Sequence, residues 1–146
     1  MCSSRVLTAV LEEATPSREV GLRDNTIELY WIVRSGFPIL AIAALMRETT
    51  LEIRDVDRLI VNRRTLRRRE KNQRALSVEE SERVLRLART FDDVYSYFDD
   101  FNSADSWVRR KSRFLQGVSP LDAATTEIGQ KLVSSMLINS RHGFAV

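Results

Sequence analysis

The run from Ser77 to Phe98 constrains the fold more than any other stretch. Ser77-Val78-Glu79-Glu80 is a capping box, in which the serine hydroxyl and the Glu80 carboxylate each satisfy a free amide at a helix start. Behind it Val84, Leu87, Ala88, Phe91, Val94, Tyr95 and Phe98 recur at three- and four-residue spacing for four turns. A helix this long with one apolar stripe requires other elements to cover it. Those elements are helices too: no alternating run of Val, Ile, Thr and aromatics occurs, and five Gly and three Pro leave little material for turns. The expected class is all-α, with this central helix ending near Asp99–Asn102.

Similar signals place the remaining helices. Val6, Leu7, Val10 and Leu11 predict a short N-terminal helix that Pro16 interrupts. Asn25-x-x-Glu28 caps a second, with Ile27, Tyr30, Trp31 and Val33 as its buried side. Gly36 ends it in the left-handed C′ conformation, and Pro38 opens Ile39–Glu48, apolar nearly all round and expected at the centre of the core. Thr49-x-x-Glu52 caps a helix that turns Ile53, Val56, Leu59 and Ile60 inward, and Asn62 caps the next. Beyond the central helix, Ser103–Phe114 reads as a polar helix and Ser119-Pro120-Leu121-Asp122 as a short helical turn. Thr126–Arg141 reads as a last helix, with Ile128, Leu132, Val133, Met136 and Leu137 on one side.

Charge is concentrated in Asn62–Arg74, NRRTLRRREKNQR, where seven cations face one acid. The chain carries +3 overall, so the residues outside this block sum to −3. A positive block on a mildly acidic body is the layout of a protein that meets a polyanion with one face. The capped helix before the block, the tight turn at Val61–Asn62 and the block itself form a helix-turn-helix pattern, whose second helix enters the DNA major groove. With Leu66 facing the core, Arg64, Arg68 and Lys71 point away from it, Thr65 and Arg67 flank them, and Arg63, Arg69 and Glu70 fall at the rim. The candidate DNA contacts are Asn62 at the helix start, Arg64, Thr65 and Arg68 as base readers, and Arg67 and Lys71 on phosphates. The turn Ile60-Val61-Asn62 lacks the glycine such turns favour. An arginine-rich helix also suits a solvated face or RNA binding without sequence preference.

Catalysis finds little support. One His and one Cys, at opposite ends of the chain, cannot build a usual zinc site or a Cys-His nucleophile pair, and no glycine-rich phosphate loop occurs. The acids Glu28, Glu52, Glu79, Glu80 and Asp122 fall where helix capping explains them. No cofactor and no metal are expected. Cys2 alone forms no intramolecular disulfide, which favours a reducing compartment. Phe37–Met46, ten residues with Pro38 inside, is too short to span a bilayer, so a soluble cytoplasmic protein is expected.

The last third carries an ordered set of residues: Gly117-x-x-Pro120-Leu121-Asp122, Thr126, Gly129, Val133, Leu137 and Gly143. It resembles the toxin-binding segment of Xre/MbcA/ParS-like antitoxins. Gly36-Phe37-Pro38, Arg64-Thr65-Leu66 and Leu76-Ser77 through Arg89 resemble that family's Xre-type lobe, so the likeness covers roughly residues 35–146. It implies an antitoxin of a RES-Xre type II system: a protein that masks a RES-domain, NAD-degrading toxin by occluding its active site and represses the shared operon through its helix-turn-helix. The implied division is 1–24 as a variable N-terminal segment, 25–100 as the helix-turn-helix DNA-binding lobe and 101–146 as the toxin-binding lobe. Operator DNA and the toxin are the expected partners, and a homodimer the expected state. Where the family tends to show an arginine and then an aliphatic residue, this chain has Asn139 and Ser140.

On the last helix Gly129, Val133, Met136 and Ser140 share one line that could meet the toxin, with small residues at both ends for close backbone approach. Packing on the chain's own core explains most of that line more simply. Arg141, His142, Gly143 and Phe144, at the end of the chain, are the candidates for occluding the toxin. The alternative is a stand-alone helix-turn-helix repressor whose C-terminal third only dimerises.

Overall fold

The computed structural model describes residues 4–15 and 26–143. These form nine helices: α1 (Arg5–Ala14), α2 (Thr26–Ser35), α3 (Leu40–Glu48), α4 (Ile53–Leu59), α5 (Arg63–Lys71), α6 (Val78–Tyr97), α7 (Phe101–Arg109), α8 (Pro120–Ala123) and α9 (Glu127–Arg141). No strand occurs among the described residues, as an all-α chain requires. Asn25 and Pro16 lie outside them. The chain divides into two compact units, Arg5–Leu85 and Arg86 onward, with the boundary inside α6.

In the first unit α1 buries Val6, Val10 and Leu11 and packs on α3. Its Arg5 Nε donates to Glu48 of α3 at 2.6 Å, so the N-terminal helix is joined to this unit by both burial and charge. Gly36 takes φ +81° at the end of α2, and an added Cβ would stand 2.3 Å from the Leu76 carbonyl oxygen. Only glycine permits both the backbone angle and that approach. The approach lets Leu76 N donate to Phe37 O at 2.8 Å and Phe37 N donate to Ser81 Oγ at 2.8 Å, which seats the fully buried Phe37 against the start of α6. The Ser77–Glu80 capping box forms as read: Glu80 N donates to Ser77 Oγ and Ser77 N to Glu80 Oε2.

Several expected faces differ. Of the α2 residues expected to be buried, only Val33 is; Tyr30 and Trp31 stack edge to face at 5.1 Å on the exposed side, beside exposed Ile27. Spacing shows that such residues share a stripe, not which neighbour covers it. Helix α3 buries Ala41, Ile42, Ala44 and Leu45 but leaves Leu40 exposed, so it is covered on one side only. The cap of α4 is Glu52, paired with Asp55 in a capping box, while Thr49 Oγ1 donates to Leu45 O and accepts from Leu51 N ahead of the helix start. This shift leaves Ile53 in the exposed first turn.

In the second unit Val94 and Phe91 of α6 are buried, and α6 stops at Tyr97 because Asp100 caps a new helix by accepting from Ser103 N. The expected polar helix therefore starts two residues earlier and ends at Arg109, and Phe114 lies exposed in the loop that follows. The α8 turn forms on its Ser119 cap with Pro120 at the first position. Three side-chain bonds tie α6 to the α8–α9 region: Arg86 to Thr125 O at 2.9 Å, Ser134 to Asp93 at 2.5 Å and Arg141 to Ser96 O at 2.7 Å. Among the described residues no single helix is long and apolar enough to cross a membrane.

Candidate functional sites

Helices α4 and α5 are held as a rigid pair without a turn glycine. None of Ile60, Val61 and Asn62 takes a positive φ. Ile60 N and Val61 N both donate to Val56 O, and the Ile60 carbonyl accepts from Arg83 of α6 at 3.0 Å. Asp57 of α4 accepts from the backbone N of Arg63, and Asn62 Oδ1 accepts from Thr65 N at 2.9 Å. Two otherwise free amides at the start of α5 are thereby satisfied. Asp57 and Arg83 were not singled out from the sequence. An acid in the last turn of α4, next to the positive start of an arginine helix, is the signal that would have found the first.

On α5 only Leu66 is buried. Arg64, Arg67, Arg68 and Lys71 are exposed, Thr65 is half-buried and Asn62 is exposed as the cap, so the candidate contacts share an accessible surface. Among the described residues the side chains of Arg64, Arg67, Arg68 and Lys71 form no ion pair with the protein's own acids. Arg69 does lie at the rim, donating to Ala75 O at 3.0 Å and to Glu80 Oε1 at 3.1 Å. Arg63 and Glu70 are exposed rather than at the rim, because Leu66 and Arg69 are the α5 side chains that meet the body. Uncompensated cations on an ordered helix can neutralise phosphates and reach base edges.

The second candidate site is α9. Gly129, Val133 and Met136 are buried, with Leu137, against the chain's own second unit. The glycine is required there: a Cβ on it would stand 1.9 Å from Ala123 O and 2.6 Å from Ala123 C. Ser140 is half-buried. The opposite side of α9 is open, with Ile128 75%, Leu132 40% and Ile138 55% exposed. Ser135, Asn139 and His142 share it. Glu127 and Lys131 pair across one turn of that side at 2.7 Å, and the Lys131 ammonium holds the Glu127 carboxyl below its usual range. Ile128 and Leu132 thus leave the core, because the α9 stripe that faces α6 is fixed by Ser134 and Arg141.

Arg141 is spent within the chain. Its guanidinium donates to Ser96 O at 2.7 Å and Ser96 Oγ at 3.1 Å and lies 5.7 Å from the centre of the Tyr97 ring. It fixes the end of α9, while His142 and Gly143 beyond it are exposed. Phe144 lies outside the described residues. No group of three His, Cys, Asp or Glu side chains able to hold a metal occurs among the described residues.

Comparison with known proteins falls on these two units. Residues 31–89 match the model of the antitoxin Xre-like helix-turn-helix domain, and residues 93–143 that of the antitoxin Xre/MbcA/ParS C-terminal toxin-binding domain. The chain is 25% identical over 122 residues to "Antitoxin Xre" of Pseudomonas putida, covering 84% of this chain and 76% of that protein. It is 31% identical over 96 residues to the "Prs ADP-ribosylating antitoxin" of Sphingobium sp., covering 60% of each, and 26% identical over 114 residues to "Antitoxin Xre" of Photorhabdus laumondii, covering 77% of each. With a helix-turn-helix DNA-binding domain followed by a toxin-binding domain, the chain belongs to the Xre/MbcA/ParS family of antitoxins.

Proposed function

We propose that this antitoxin neutralises a RES-domain, NAD-degrading toxin and represses their shared operon as a homodimer bound through α5. The observation that carries the toxin half is the open apolar side of α9, Ile128–Leu132–Ile138, within the toxin-binding domain. Exposed aliphatic side chains spaced along one ordered helix are the usual anchor of a helix-in-groove interface. Docking on this side places His142 and Gly143 next to the partner, which is how the active site would be occluded. Gly129, Val133 and Met136 then act by holding α9, not by touching the toxin. Support for NAD chemistry comes from the resemblance to RES-Xre antitoxins, and from the ADP-ribosylation in the name of the Sphingobium relative, a reaction that consumes NAD.

The DNA half rests on the exposed, uncompensated cations of α5. A reader of symmetric half-sites acts as a dimer. The exposed Ile27–Tyr30–Trp31 side of α2 lies in the same unit as α5 and is the surface we assign to the second copy.

The test is co-expression with the product of the adjacent gene. Wild-type antitoxin is expected to co-purify with it and preserve cellular NAD. Leu132→Glu is expected to remain folded and lose both properties. A second reading, a repressor whose C-terminal third only dimerises, draws on the same open α9 side. It predicts that Leu132→Glu yields a monomer and that no neighbour co-purifies.

A further inference from the structure

The end of α5 holds a concavity that neither the base-reading face nor the helix dipole accounts for. The helix closes with Arg74 N donating to Arg69 O at 2.9 Å and Gln73 N donating to Glu70 O at 3.1 Å, the paired bonds of a Schellman motif. Gln73 takes the left-handed φ of 50° that this motif needs. The reversal brings Arg74, which lies beyond the helix, back beside Arg68, Arg69 and Asn72. These four residues line a recess of ≈ 300 Å³. Basic residues within the last turn of a helix are explained by its negative end; Arg74 is not. Glu80 neutralises Arg69 alone, and Arg68 and Arg74 have no acid partner among the described residues. The Arg69 Nε is buried without a hydrogen-bond partner, an unmet donor at a cationic recess.

We infer that Arg68, Asn72 and Arg74, with Arg69 fixed beside them by Glu80 and Ala75 O, form a seat for one backbone phosphate of bound DNA. Two guanidinium forks and an amide match the oxygens of a phosphodiester, which carries one negative charge and no proton to donate. This reassigns Arg68 from base reading to positioning, leaving Arg64 and Thr65 at the start of α5 as the residues that discriminate sequence. The inference rests on α5 meeting DNA, the reading proposed above.

The experiment measures binding of the full chain to operator and to a scrambled duplex of equal length across a salt series. Arg74→Ala is expected to flatten the log–log salt slope by about 0.9 for each copy bound. It should weaken both duplexes by the same factor. Arg74→Lys should keep the slope and bind more weakly than wild type, since an ammonium cannot fork. Arg64→Ala should instead lower the ratio of operator to scrambled affinity. A slope unchanged by Arg74→Ala overturns the seat, as does a change in the affinity ratio at constant slope. Inorganic phosphate, tested against chloride at equal ionic strength, separates the sources. If phosphate raises the melting temperature of wild type but not Arg74→Ala while the DNA slopes agree, the recess holds free phosphate and the backbone assignment is overturned. If wild type binds both duplexes equally, operator recognition fails, and the slope on the scrambled duplex still decides the seat.

Discussion

Gly129→Ala is the substitution that best separates a structural role from a toxin-contacting one. The new Cβ would stand 1.9 Å from Ala123 O, a backbone atom that already accepts from Thr126 N and Thr126 Oγ1. Reaching ordinary contact at 3.4 Å requires the start of α9 and the short α8 to separate by about 1.5 Å. Pro120 and Leu121 of α8 are buried and Gly129 N donates to Thr126 Oγ1, so that movement disturbs both a packed seam and a cap. Overpacking of this kind costs about 1–3 kcal/mol, against which the better helix propensity of alanine returns up to about 1 kcal/mol. A net loss of about 1–2 kcal/mol lowers the melting temperature by roughly 2–8 °C for a chain of this size. Circular dichroism melts give that shift, and titration with toxin well below the transition gives the affinity. The expected result is a lower melting temperature with nearly unchanged affinity. A wild-type melting temperature with lost affinity would place Gly129 in the toxin interface and refute the assignment of its face to the core.

Other substitutions test the two sites separately. Asn62→Ala removes the cap of α5 and should cost about 1 kcal/mol of stability, read from the denaturant midpoint; no change would mean that the Asp57 bond suffices alone. Gln73→Gly relieves a left-handed residue and should stabilise by about 0.5–1 kcal/mol, a rise in the same midpoint. If the proposed dimer forms through α2, Trp31→Glu should elute later than wild type on size-exclusion chromatography; an unchanged elution volume removes α2 as the dimer surface. Removing only Phe144–Val146 leaves the Arg141–Ser96 contact intact, so full rescue of toxin-expressing cells by that truncation would exclude the end of the chain from occlusion. Hydrogen bonds from Arg47 and Arg5 hold the Glu48 carboxyl below its ordinary value of 4.5. A depressed carboxylate contributes stability above its unfolded pKa and loses it as pH falls through the folded one. The stability gap between wild type and Glu48→Gln should therefore be constant above about pH 5 and close on acidification.

Much of the fold was legible because helix starts are local. Ser77, Asn62 and Ser119 each cap as their spacing predicts, since a short polar side chain and the amide it serves lie within three residues. Where two caps competed, spacing alone could not decide: Thr49 Oγ1 accepts from Leu51 N, before the helix begins, and Glu52 took the role. The side that a stripe turns to was less legible. Ile27, Tyr30 and Trp31 have the periodicity of a buried face and are exposed, because periodicity records which residues travel together and not what covers them. On α5 the position of Leu66 placed Arg64, Arg67, Arg68 and Lys71 on the exposed side, where they are, but set Arg63 and Glu70 at the rim, where they are not.

The last helix shows why both of its faces could be mistaken for each other. Ile128, Leu132 and Ile138 on one side and Val133, Met136 and Leu137 on the other are all aliphatic, so hydrophobicity does not rank them. What fixes the rotation is polar: Ser134 bonded to Asp93 and Arg141 bonded to Ser96, each a contact more than forty residues apart in sequence. Two such bonds, separated by seven residues or two turns, fix the Ser134–Arg141 line toward α6 and leave Ile128 and Leu132 on the side turned away. Small residues at helical spacing had pointed to close approach by a partner. The partner in close approach to Gly129 is Ala123 of the same chain. Breaking only the polar registration, with Ser134→Ala and Arg141→Ala together, should therefore weaken toxin binding by more than either change destabilises the fold, because the open face depends on the angle those two bonds set. Hydrogen exchange along α9 beside a toxin titration reads both effects. Equal toxin affinity with loosened α9 protection would show that the face is recognised without being held.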